Sequence, residues 1–199
     1  MLKFILYIIG TYLIASIPFG YIVGKLFGKD VRKEGSGNIG ATNVVRTVGK
    51  KAGILVLILD VLKGFIPVYI AKNLLNLSSK YVALVALVAI LGHCFSIFMK
   101  FKGGKGVATG LGVMLAISVK ATQILLVFWL GVFLVSGYVS LASILTASIS
   151  WLVFFVITNN FFYSYIILIS AIIIILKHLS NIQRLLNGTE HNFIYKNKD

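Results

Sequence analysis

Apolar residues run almost unbroken through positions 2–24, 53–72, 81–98, 106–119, 122–136, 140–157 and 161–177, with polar residues gathered between them. A transmembrane helix takes roughly 20 apolar residues. The pattern therefore predicts an all-α integral membrane protein of about seven transmembrane helices, folded as a single membrane-embedded domain over 1–199. The count turns on 106–136, where Lys120 is the only charge and one long helix would give six crossings. Gly106, Gly110 and Gly112, with closely spaced apolar residues on either side of Ser118-Val119-Lys120, fit a hairpin better. The first run has only Lys3 ahead of it and no small-x-small cleavage pattern, so it reads as a retained helix rather than a signal peptide.

Charge orients this set of helices. Hydrophobic residues make up 59% of the chain and charged ones 12%, yet 19 Lys+Arg against 5 Asp+Glu leave a formal +14. The excess sits in islands, which argues against a uniform basic surface and against nucleic acid as a partner. With seven crossings, 25–52, 99–105 and the tail from 178 share one side. That side holds Lys25, Lys29, Arg32, Lys33, Arg46, Lys50, Lys51, Lys100, Lys102, Lys105, Arg184, Lys196 and Lys198, with Lys177 at its border, while the other has little beyond Lys3, Lys72, Lys80 and Lys120. Positive-inside reasoning places the rich side in the cytoplasm, with the N-terminus outside and the C-terminus cytoplasmic. A six-crossing arrangement would divide the islands between both faces.

The islands also carry the chemistry. The first, Lys33 to Arg46, combines Gly35, Gly37 and Gly40 with Ser36, Asn38, Thr42 and Asn43 and ends in Arg46. Glycines let successive N–H groups form an anion nest, the short polar side chains add neutral donors, and Arg46 offers a forked charge for phosphate. In the second, Gly92-His93 leads to Lys102-Gly103-Gly104-Lys105-Gly106 and on to Thr109. A glycine-rich turn opening a helix has the design of a phosphate cradle, but Lys105 is followed by glycine, so it is not a P-loop. His93 at the membrane edge is suited to orienting or deprotonating a hydroxyl, or to packing. The third, Lys177 to Glu190, offsets His178, Asn181 and Arg184 by about a turn each, with Glu190 placed to neutralise a basic neighbour. Asp60 and Lys63 form the acidic–basic pair deepest in an apolar run, three apart and on one face, suited to supporting a site or to joining helices.

The remaining inventory narrows the classes. Three histidines, one cysteine and no H-E-x-x-H motif argue against a metal site. The single Cys94 excludes an intrachain disulfide. No G-x-S-x-G elbow is present, although Ser36 and His93 remain a candidate pair. A transporter or exchanger of an anionic phosphorylated metabolite is the alternative reading, but it would more naturally place its polar groups near mid-membrane.

Together these stretches resemble the signatures of the bacterial glycerol-3-phosphate acyltransferase family that uses acyl phosphate as donor. Gly35–Arg46 with Gly49 is similar to the first motif, Gly92-His93 through Thr109 to the second, and His178 through Glu190 to the third; Asp60-Val61-Leu62-Lys63-Gly64 also fits. Ser96 stands where proline is common, and Leu179 where a basic or polar residue is common. The resemblance implies transfer of an acyl group from acyl phosphate to the 1-hydroxyl of sn-glycerol 3-phosphate, by a monomer among membrane lipids, with no cofactor and no metal. It implies that Arg46, Lys105, His178 and Asn181 hold glycerol phosphate and that Gly103, Gly104 and nearby amides cradle the acyl-phosphate head. Ser36 and His93 would align the attacking hydroxyl. The site would face the cytoplasm from the inner (plasma) membrane.

Overall fold

The computed structural model describes residues 1–195; the basic residues Lys196 and Lys198, assigned above to the cytoplasmic side, lie outside them. Among the described residues the regular elements are all helical. Two compact units divide at Ile117 and Ser118.

In the first unit, the opening apolar run is two helices rather than the one predicted, α1 (Leu2–Ser16) and α2 (Phe19–Leu26). The break follows from Pro18, which has no N–H to continue the ladder and disfavours helical geometry at the residue before it. Indeed Ile17 is extended, with ψ of 119°. A short α3 (Ala41–Thr47) precedes α4 (Lys50–Tyr69), which runs on through a π-helical turn, Ile70–Leu74, after Pro67. Next come α5 (Ser79–Cys94), a 3-10 turn at Ile97–Met99, and α6 (Val107–Ile117). The α4–α6 crossing is close because glycines face backbone. A Cβ on Gly64 would meet Thr109, and one on Gly112 would meet the Val61 carbonyl and, at 2.8 Å, the Phe65 nitrogen. Small residues allow this approach in membrane helices, where packing rather than water expulsion drives association.

The second unit contains α7 (Val119–Ser136), α8 (Val139–Thr158), α9 (Phe161–Lys177) and α10 (Leu179–Leu186). The predicted hairpin break falls at Ser118, whose side chain caps α7 by accepting from the Ala121 N–H at 3.3 Å. Gly137 ends α7 in the left-handed region, φ 73°, and Asn160 caps α9. The polypeptide bends by 55° between α9 and α10.

Large apolar side chains point outward, among them Leu6, Ile14, Leu134 and Val156, while hydroxyl residues within the helices such as Thr11, Ser16, Ser143 and Ser170 are buried. That inversion suits a lipid solvent. Five helical stretches are long and apolar enough to cross a bilayer: 2–26, 50–74, 79–99, 119–136 and 139–158. The bent α9–α10 pair passes the same length and hydropathy test only when its two helices are taken together. The remaining apolar helix, α6, has eleven residues. At 1.5 Å per residue it rises about 16 Å, roughly half of the hydrocarbon core.

Candidate active site

The first island is folded by one side chain. Asn43, on α3 and 1% exposed, donates from Nδ2 to the carbonyls of Val31, Glu34 and Asn38 at 2.8, 3.1 and 2.9 Å. Its Oδ1 accepts the Ser36 N–H at 2.9 Å. Gly35, at φ +58°, brings its α-carbon against this amide where a Cβ would collide. Below the loop, Val23, Val31, Ile39, Val44, Ala52 and Val56 make an apolar plug. The result is a polar loop with Ser36 and Gly37 exposed, and Asn38, Gly40, Thr42 and Arg46 half-buried. Asn43, expected among the substrate-binding groups, is engaged with loop backbone, so its task here is to fold the loop. At the loop entrance, Arg32 grips Asp30 through two hydrogen bonds of 2.8 and 2.6 Å and holds that carboxyl well below the usual carboxylate range.

The second island is tied to α1. Tyr12 Oη donates to the Phe95 carbonyl at 2.6 Å, Ser16 Oγ to that of Gly92 at 3.2 Å, and Ser96 Oγ to that of Ser16 at 2.5 Å. Beyond Ser96 the chain turns back through Lys100 and Phe101, both left-handed at φ 52° and 62°. The Gly103 and Gly104 N–H groups donate to the Cys94 and His93 carbonyls at 3.2 and 3.1 Å. This corrects the expectation that these two amides cradle an anion: the turn needs them to close on α5. The N–H groups without helical acceptors are those of the first turn of α6, as at any helix start. Lys102 is exposed, and Lys105 is half-buried. Thr109 is fully buried, with its carbonyl and methyl at the contact with Gly64 of α4.

The two islands are neighbours, because Met99 packs against the apolar plug under the first loop. Beside them, Ile17, Pro18, Tyr21 and Ile22 of the broken first span and Phe98 and Met99 of the 3-10 turn line an apolar cleft of about 360 Å³. Ser36 and His93 share this unit, but no hydrogen bond joins them. His93 is 4% exposed and lies by Asp60: Asp60 Oδ1 stands 3.8 Å from His93 Nδ1 and 2.7 Å from Lys63 Nζ. Lys63 also donates to the Ile17 carbonyl at 2.8 Å. The i,i+3 pairing read from the sequence is therefore present.

The third island lies in the second unit. His178, at the α9–α10 bend, is buried, with Nδ1 2.7 Å from the Ile174 carbonyl. Glu190 returns to α10 and α8: Oε1 accepts from Asn181 Nδ2 at 2.8 Å and from Ser140 Oγ at 2.9 Å, and Oε2 from Arg184 Nε at 2.7 Å. The following residues dock on the α7–α8 turn, with Asn192 Nδ2 donating to the Ser136 carbonyl and the Phe193 N–H to that of Gly137. The sequence pointed to Glu190 beside a basic residue. Tyr12 and Ser16 escaped notice, since lone hydroxyls in apolar runs carry no periodic signal.

Comparison with known proteins bears on the whole chain. A family model described as glycerol-3-phosphate acyltransferase matches residues 5–188. A glycerol-3-phosphate acyltransferase of Aquifex aeolicus is 47% identical over 196 residues, 96% of this chain and 100% of that one. One from Trichlorobacter lovleyi is 48% identical over 187 residues, 94% of this chain and 96% of the relative. Two crystal structures of PlsY (YgiH), an integral membrane glycerol 3-phosphate acyltransferase, are similar throughout at 44% identity. Its glycerol 3-phosphate form gives a TM-score of 0.92 over 96% of each chain. Its lysophosphatidic acid form gives 0.89 over 96% of this chain and 95% of the other.

Proposed function

Since this chain belongs to the glycerol-3-phosphate acyltransferase family, we propose that it transfers an acyl group from acyl phosphate to the 1-hydroxyl of sn-glycerol 3-phosphate, releasing 1-acyl-sn-glycerol 3-phosphate and inorganic phosphate. The family match runs through both compact units, and the activity is assigned to the chain as one acyltransferase. It works as a monomer in the inner membrane, its basic loops facing the cytoplasm.

The observation that carries this reading is the meeting of two chemistries in residues 1–117. A polar loop exposing Ser36 and a basic turn carrying Lys105 adjoin, through Met99, the apolar cleft under Phe98. One substrate is a small dianion and the other ends a fatty tail in an acyl phosphate, so the reaction needs an anion-binding surface at the rim of an apolar slot. In this assignment Arg46 and Lys105 hold phosphate, and the first turn of α6 stabilises negative charge at the donor head. The cleft takes the acyl chain nearest the reacting carbonyl. Ser36 and His93 align the attacking hydroxyl. His178, Asn181 and Arg184 serve glycerol phosphate recognition, with Asn181 and Arg184 held by Glu190.

Acyl phosphate is already activated, so no covalent acyl-serine is required. The hydroxyl oxygen attacks the carbonyl carbon, the bond to the phosphate oxygen breaks, and the proton passes to the departing phosphate. Purified protein in lipid vesicles, given palmitoyl phosphate and radiolabelled glycerol 3-phosphate, should form labelled lysophosphatidate and equimolar phosphate. Product formed only from palmitoyl-CoA or acyl-carrier protein would overturn the donor, and no product from any donor would overturn the acyltransferase assignment. A labelled acyl-enzyme that disappears with Ser36→Ala would replace direct transfer by a covalent route.

A further inference from the structure

Ionic groups inside a membrane helix are expensive. The Asp60 and Lys63 side chains on α4 are nevertheless only 2% and 3% exposed. Lys63 has a structural task. Pro18 cannot donate to the first span, and Lys63 Nζ donates to the Ile17 carbonyl at that break, 5.4 Å from the Phe19 ring centroid. A neutral donor would serve that carbonyl too, so the carboxylate calls for its own explanation.

The explanation lies on the other side of Asp60. Its Oδ1 faces His93 Nδ1 at 3.8 Å. The far edge of the same ring lies against Gly104, where Nε2, Cε1 and Cδ2 occupy the space a Cβ would need. Gly104 in turn donates its N–H to the His93 carbonyl. The imidazole is thereby clamped between a carboxylate on α4 and the glycine turn of the second island.

We propose that Asp60 is a positioning residue that acts through His93: it keeps the ring proton on Nδ1 and turns the Nε2 lone pair towards Gly104 and the acceptor hydroxyl. The proposal rests on the acyltransferase reading above. A neutral imidazole carries one proton, and the nitrogen facing a carboxylate retains it, leaving the other as acceptor. During attack Nε2 accepts the hydrogen bond of the 1-hydroxyl and aims its oxygen. The new ester bond forms as the bond to phosphate breaks, and the hydroxyl proton ends on the released phosphate. Lys63 offsets the carboxylate charge, which lets that charge stay buried.

The test is a double-mutant cycle in vesicles, with kcat and KM measured for D60N, H93Q and D60N/H93Q. D60N should lower kcat by about tenfold or more while KM for glycerol 3-phosphate stays within about twofold, and it should have no further effect in the H93Q background. Equal losses in both backgrounds would overturn the proposal. D60N/K63M removes both buried charges and guards against misfolding: a low kcat in a protein that melts like the parent supports the proposal, and a restored kcat overturns it. A parent inactive with palmitoyl phosphate but active with an acyl thioester overturns only the donor, and the same cycle is then read with the thioester. A parent inactive with every donor overturns the acyltransferase reading and this proposal together.

Discussion

Arg184 and Glu190 are joined by a charged hydrogen bond of 2.7 Å from Nε to Oε2, which closes the turn after α10. The Glu190 carboxylate, 3% exposed, also accepts from Asn181 and Ser140. Burial alone would raise its pKa, but the hydrogen bonds from Arg184, Asn181 and Ser140 outweigh burial and hold it below the usual carboxylate range. A depressed folded pKa means that this stabilisation is complete above the unfolded value of about 4.3 and is lost as pH falls through the lower folded value. Hydrogen exchange of residues 178–193 should therefore accelerate, relative to intrinsic rates, only below about pH 4. Glu190→Gln should remove that acid step and cost roughly 1.5–3 kcal/mol, the scale of hydrogen bonds to a charged group; an acid step that persists in the variant would refute this.

Asn43→Ala should unfasten the first loop. It removes the acceptor for the Ser36 N–H and the donor to three carbonyls. The helices should remain, because the apolar plug below the loop is untouched. Expected are faster exchange confined to 31–40 and acyl transfer reduced by about tenfold or more, with little change in melting temperature; a broad loss of protection would show that Asn43 holds more than the loop.

Glycines in the apolar helices should divide by what faces them. Gly112→Ala drives a methyl into the Val61 carbonyl of α4 and should cost about 1–3 kcal/mol, the range for overpacking. Gly131→Ala meets nothing within 4 Å and should leave melting unchanged or slightly raised. Thermal unfolding of the two variants side by side decides between crossing-specific packing and a general need for glycine.

Ser96→Pro should be tolerated. Ser96 already has φ −62°, which proline favours. The variant gives up the hydroxyl bond to the Ser16 carbonyl, worth about 1 kcal/mol, and gains a similar amount from a stiffer unfolded chain. Melting temperature and specific activity should both stay close to the parent's, and a loss of about tenfold in activity would show that the hydroxyl does more than hold the turn.

What the sequence determined by itself is local or one-dimensional. The helical membrane class, the break at Ser118 and the three polar islands follow from hydropathy, capping and composition, which act over a few residues. Pro18 was visible too, although its effect on the first span became plain only in the structure. The i,i+3 spacing of Asp60 and Lys63 placed them on one face, because helix geometry alone sets that distance. Tertiary structure decided the partners. Periodicity says which face a residue occupies, but not what crosses that face. Ser140 reaches Glu190 across 50 positions and Ser96 reaches Ser16 across 80. The Gly103 and Gly104 amides turned out to close a turn on α5, and Asp60 to face His93, because crossing helices brought those groups within hydrogen-bonding or charge range. Such contacts depend on the angle and depth at which helices pack, and that is set by the sum of many side-chain volumes rather than by any one stretch of sequence.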